Sequence, residues 1–219
     1  MRAGDHSLTL AARYGHTGLV KVGAVLVLFA SILSGADVPP PAVDLPSGGD
    51  GRVATAVLAG GRFWGMEAVF EELKGVIGVW AGYTRGKAED AQEPESVQIL
   101  YDPNRISYGK LLQVLFAVAH DPTAIDRQGP DAGPQFRSVI FYSTDGQKQV
   151  AQAYIKQIDR AHVFQAPITT QVALLPGFFT AEDHNQHYVK RNPNDPYVVE
   201  NIVPKLKALR GQFPDLLKP

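Results

Sequence analysis

An apolar run, broken only by Thr55, spans Val53–Ala59, and apolar residues then recur at Ala68, Val69, Phe70 and Leu73 within Glu67–Lys74. The run fits a buried strand, and the spacing that follows fits one face of a helix. Gly75 stands where a helix C-cap would. Val76–Tyr83, "VIGVWAGY", is rich in strand formers, while Ser96–Tyr101, "SVQILY", alternates and closes on an Asp102-Pro103 turn. Ser107 is placed to cap a helix running to His120. Further along, Phe136–Tyr142 predicts a strand, Asp145–Ala161 a long amphipathic helix, and Ile168–Leu174 another alternating strand. Ala181–Arg191 and Pro204–Arg210 predict two more helices. The short connection from Val76–Tyr83 to Ser96–Tyr101 points to antiparallel pairing. The expected fold class is α+β, one mixed, largely antiparallel sheet covered by helices.

The first 36 residues follow a different rule. Arg2, Arg13 and Lys21 precede an uncharged apolar run, Val22–Leu33, and small residues follow at Ser34 and Ala36. This is the order of a secretory signal, with the apolar run short for a membrane span. The expected protein is exported and periplasmic, and it meets a membrane only if residues 1–36 stay attached as an anchor. "LSGA" is also close to a lipoprotein box, but Ala36 has no thiol to carry a lipid. Residues 37–52, "DVPPPAVDLPSGGDGR", have the composition of a linker. The folded domain is therefore expected over 53–219.

Charge and composition remove several function classes. The 21 basic and 22 acidic residues leave a net charge of −1, which gives no electrostatic basis for holding nucleic acid. The chain has no cysteine, which excludes disulfides, thiolate catalysis and zinc–thiolate sites. His184 and His187, beside Glu182 and Asp183, have a spacing that can put two imidazoles on one helix face, but no third metal ligand is evident. Gly60-Gly61 is too short for a phosphate loop, and nothing reads as a serine triad.

The most informative stretch is "LAGGRFWGMEAVFEELKG", residues 58–75. A strand enters two glycines and a helix follows. Backbone N–H groups and the helix dipole make such a corner favour an anion, yet its side chain is Arg62. Together with "AGYT", "ESVQILYDPNRISYGKLL", "HDPTAIDRQGPDAGPQFRSVIFY", "AED..Q.Y" and "NDPYVV...PKL", the stretch resembles the methionine sulfoxide reductase A family over about Val57 to Leu209.

The resemblance implies a two-layer sandwich and a definite chemistry. A cysteine at the helix start attacks the sulfur of methionine-(S)-S-oxide, peptide-bound or free. A carboxylic acid protonates the departing oxygen, methionine leaves, and a sulfenic acid remains. An external thiol, thioredoxin or dithiothreitol, then reduces it, and no bound cofactor or metal is used. Carried over by position, the nucleophile falls on Arg62 and the acid on Glu95. Asp131 matches an active-site aspartate, and Phe136 stands where a tyrosine is expected, without the hydroxyl. Phe63 and Trp64 match the apolar pocket for the substrate methyl. The segment between Tyr83 and Glu95 is short and removes the usual place of a second tyrosine.

A guanidinium is no nucleophile, so the expectation is an inactive reductase. The alternatives are a module that binds oxidised methionine and an interaction partner of an active reductase. Arg62 is expected to sit as a counter-ion between Glu95 and Asp131 and to lower both pKa values, the alternative being a side chain turned out to solvent. Without the resemblance, Phe63 and Trp64 read equally as core aromatics, Glu95 as an edge charge, Asp131 as a turn residue, and Tyr83 and Tyr142 as sheet residues.

Overall fold

A computed structural model describes residues 36–48, 53–84 and 93–219. The expected signal segment lies outside these residues except for Ala36, as does most of the short 84–94 loop. Among the described residues no helix is long and apolar enough to cross a membrane.

The sheet is built around β1 (Ala54–Gly60), which pairs antiparallel with both β3 (Glu95–Tyr101) and β6 (Ser138–Tyr142). Antiparallel β2 (Val76–Tyr83) follows β3, and β8 (Phe179–Thr180) closes that edge. At the other edge β7 (Gln171–Leu174) runs parallel to β6, giving the order β7-β6-β1-β3-β2-β8. A separate two-residue hairpin joins β4 (Arg127–Gln128) to β5 (Asp131–Ala132). The sheet is mixed and largely antiparallel, as expected for an α+β fold.

The two faces of β1 explain its apolar stretch Ala56–Ala59. Ala56 and Leu58 enter the main core with α1 (Phe63–Glu71), α2 (Tyr108–Val114), α3 (Asp145–Arg160) and α5 (Val203–Gln212). Val57 and Ala59 face the other way, into a smaller cluster with Val139 and Phe141. A strand buried on both sides has no polar face, so its sequence does not alternate.

Several elements differ from expectation for local reasons. α1 starts at Phe63, before the predicted Glu67. Gly75 does not cap it: the helix ends at Glu71, Leu73 bridges to Leu217, and Gly75 (φ +88°) turns the chain into β2. Ser107 does cap α2, its hydroxyl accepting from Lys110 N–H at 3.2 Å. That helix loosens at Leu115–Ala119 into a π-turn before His120. The Phe136–Tyr142 strand begins only at Ser138, after a 3₁₀ turn at Pro134–Phe136.

Residues 36–48 correct the expected linker. Val38 is buried, and Gln113 Nε2 donates to its carbonyl at 2.7 Å. Tyr154 and Gln157 donate to the carbonyls of Pro39 and Pro40. Asp44 accepts from Gly109 N–H at 2.7 Å and from the Ser107 hydroxyl. Proline lacks an N–H but keeps its carbonyl, so a Pro-rich segment can be held by donors from two helices.

Ala181–Arg191 is not one helix. A 3₁₀ turn at Asp183–Asn185 gives way to extended Gln186, left-handed His187 (φ 51°) and the single turn α4 (Tyr188–Arg191). The Gln186 amide pairs in both directions with the Ala81 backbone, at 3.0 and 2.9 Å. His187 N–H donates to Glu67 Oε2 at 2.8 Å. These tertiary bonds take the groups a helix would have used, and the His184–His187 face does not exist.

Candidate active site

The corner at the end of β1 is shaped by Gly61, which sits at φ +90°. A β-carbon there would lie 2.6 Å from the Gln128 side chain, so both conformation and space require glycine. Arg62 follows in extended conformation as the N-cap of α1, without a side-chain cap of its own. Glu95, at the start of β3, supplies the missing acceptor. Its Oε2 takes the Phe63 N–H at 3.0 Å. The anion that the helix terminus favours is thus a carboxylate from the neighbouring strand.

Arg62 turns inward, as the counter-ion reading expected. Its Nη2 donates to Asp131 Oδ1 at 3.0 Å, and Nη1 lies 3.7 Å from Glu95 Oε1. The guanidinium carbon is 4.9 Å from the Trp64 ring centre, 5.0 Å from Phe136 and 5.4 Å from Tyr197. Asp131 is positioned by the β4–β5 hairpin and also accepts from the Tyr197 hydroxyl. Two carboxylates and three rings therefore enclose one cation.

The electrostatics depart from expectation at Glu95. Burial raises its pKa, and the Phe63 N–H and Arg62 only moderate the rise. Arg62 is penalised by burial too, but the Asp131 hydrogen bond and the charges of Glu95 and Asp131 outweigh it and leave the guanidinium firmly charged. Burial, and then Asp131, push the Tyr197 phenol up.

Every residue expected at the site is brought to this corner. Phe63 is fully buried and meets the Tyr83 ring edge-on at 5.6 Å, so it also serves the core. Trp64 is half-buried. Tyr188 stacks on it at 3.7 Å and 8°, and Asn185 accepts from its Nε1–H at 3.0 Å. Phe136 is buried against Arg62. Tyr83 stays a strand residue that reaches towards Glu182 at 3.5 Å, and Tyr142 lies on β6 under Lys148.

Sequence reasoning gave no part to Tyr188, Asn185 and Tyr197. The available signal was that these residues lie within the stretches "AED..Q.Y" and "NDPYVV", which carry Tyr188 and Tyr197 without a stated task. Among the described residues, a separate group of possible metal ligands is Glu67, Glu71 and His187. It lies further along α1.

Comparisons with known proteins bear on the sequence and the fold as a whole. The peptide methionine sulfoxide reductase family model matches residues 54–216. A peptide methionine sulfoxide reductase MsrA 2 from Synechocystis sp. is 46% identical over 193 residues, which cover 83% of this chain and 90% of the relative. A peptide methionine sulfoxide reductase MsrA from Natronomonas pharaonis is 42% identical, over 73% of this chain and 95% of the relative. Methionine sulfoxide reductase A of Corynebacterium diphtheriae aligns with TM-score 0.53 and 28% identity, covering 72% of this chain and 83% of its own. Mxr1 from Saccharomyces cerevisiae in reduced form aligns with TM-score 0.57 and 25% identity, over 68% and 90% of the two chains. With the matched region running from β1 to the C-terminal turn, and with the arginine corner inside it, the chain belongs to the peptide methionine sulfoxide reductase family.

Proposed function

We propose that this chain is an exported, periplasmic member of the family in which Arg62 replaces the thiol chemistry and closes the sulfoxide site. The carrying observation is the enclosure of the Arg62 guanidinium by Asp131, Glu95, Trp64, Phe136 and Tyr197. A permanently protonated guanidinium has no lone pair to attack sulfur. The chain has no other cysteine to take its place, so thioredoxin or dithiothreitol finds nothing on it to reduce. By lineage the site is directed at methionine-(S)-S-oxide, peptide-bound or free. Here the apolar wall of Trp64 is already covered by Tyr188 and Arg62, which argues against a simple binding module.

The rest of the corner retains catalytic features. Glu95 is held where it can reach a leaving oxygen near the helix start, and burial favours its protonated, acid-competent form. A cysteine at position 62 would meet the α1 N-terminus, which favours a thiolate.

The test is turnover of dabsyl-methionine-(S)-S-oxide with excess dithiothreitol. The parent chain is expected to show no turnover above the blank, and Arg62→Cys to gain it. Adding Phe136→Tyr to that variant should raise the rate further by restoring a hydroxyl donor. Turnover by the parent would overturn the proposal.

A further inference from the structure

Two turns beyond Arg62, α1 presents Glu67 and Glu71 on one face, at the i, i+4 spacing that makes helical side chains neighbours. His187 comes to the same place from a segment 120 residues away. Glu67 Oε2 accepts the His187 backbone N–H at 2.8 Å. Its other oxygen, Oε1, is buried and has no hydrogen-bond partner, and it points at His187 Nδ1 from 3.5 Å. Glu71 Oε1 lies 2.6 Å from the same nitrogen, and the three donor groups fall within 4.8 Å of one another. A buried carboxylate oxygen left unpaired is costly, and a cation here would satisfy Glu67 Oε1 while taking the place of the present His187–Glu71 hydrogen bond.

We propose that Glu67, Glu71 and His187 bind one divalent transition ion of the zinc class, which pins the 185–188 segment to α1. One imidazole nitrogen with two carboxylate oxygens and no sulfur suits zinc, cobalt or nickel better than calcium or magnesium. Metal bonds of about 2.0–2.2 Å set donor atoms about 3.3–3.6 Å apart. The His187–Glu67 pair already has that separation, and the His187–Glu71 pair needs to open by about 1 Å. The site faces a groove lined by Ile77, Trp80, Lys190 and Lys218, so water can complete the coordination. Lys190 holds Glu71 Oε2 at 2.9 Å, but its side chain is 68% exposed and can withdraw at little cost. The bound segment includes Asn185 and Tyr188, the two residues that hold Trp64. An ion there would stiffen the wall of the candidate active site without entering it.

The experiment is titration of the full chain with Co²⁺ followed by its visible absorption, competition by Zn²⁺, and thermal melting with and without ZnCl₂. One equivalent is expected to bind and to raise the melting temperature. X-ray absorption of the zinc form should show a single imidazole among oxygen ligands. His187→Asn and Glu71→Gln, both outside the core, should each weaken binding at least about tenfold, whereas His184→Asn should leave it unchanged. No saturable Co²⁺ spectrum in the parent, undiminished binding by His187→Asn, or two or more imidazoles on the ion would overturn the proposal.

Discussion

Arg62 stands at a helix N-terminus whose dipole opposes a positive charge by up to about 1 kcal/mol. The Asp131 contact and three surrounding rings offset that cost. Removing the side chain leaves two largely buried carboxylates facing each other without a cation. Arg62→Ala is therefore expected to lower stability by about 1–3 kcal/mol in urea unfolding. Millimolar methylguanidinium should return part of the loss and methylammonium less, because only the former has the planar fork. Equal effects of the two would show that the cage selects charge and not shape.

A second residue governs acid sensitivity. His120 is buried, donates from Nδ1 to the Leu115 carbonyl, and accepts at Nε2 from the Ser138 hydroxyl. Burial is the main cause that lowers its pKa to about 4, and nearby Lys205 adds to it against the Leu115 bond and Asp121. The folded state thus refuses a proton that the unfolded chain accepts near pH 6.5. Stability from this group is complete above pH 6.5 and is lost as pH falls towards 4, by about 3 kcal/mol at most. His120→Gln should flatten the pH dependence of the urea midpoint in that window.

At the scale of elements, the 36–48 strap and the 181–191 segment carry the corrections. Asp44 serves Gly109 N–H and the Ser107 hydroxyl, so it fixes the start of α2. Asp44→Ala should cost about 1–2 kcal/mol in thermal or urea unfolding. A chain beginning at Val53 should be less stable than one beginning at Ala36, as measured by the urea midpoint. Neither segment was legible in the sequence, and the reasons differ. Pro39–Pro41 look like a spacer because their carbonyl acceptors leave no trace in a hydrophobic pattern. Ala181–Arg191 looks helical because its residues tolerate a helix, and only the distant Ala81 and Glu67 draw them away. By contrast β2 and β3 were plain, since each is a short run with strand chemistry and the link between them is too short for a crossover. The site divides in the same way. Arg62, Glu95 and Asp131 lie in long motifs that announce themselves. Tyr197 meets Asp131 across 66 positions, and Glu67 meets His187 across 120, contacts that exist only after folding.

Over the whole molecule, β1 sits mid-sheet and feeds α1, whose far end is tied down by the C-terminal residues. Lys74 N–H donates to the Leu216 carbonyl, and Lys218 N–H to that of Glu72. Residues 36–48 are moored as well: Ala36 N–H donates to the Ala117 carbonyl at 3.1 Å, and Val38 is buried beside α2. Ala36 is also the last residue before the expected export cleavage. A processing enzyme needs its target extended and free, whereas Ala36 N–H is held by the Ala117 carbonyl once residues 36–48 are seated. On the export proposed above, cleavage after Ala36 and docking of residues 36–48 would compete in time, and a precursor that folds first would be cut slowly. Loosening the strap by Asp44→Ala should speed conversion of precursor to mature chain in a pulse–chase assay, even as it weakens the mature fold. An unchanged rate would mean that maturation finishes before the strap docks.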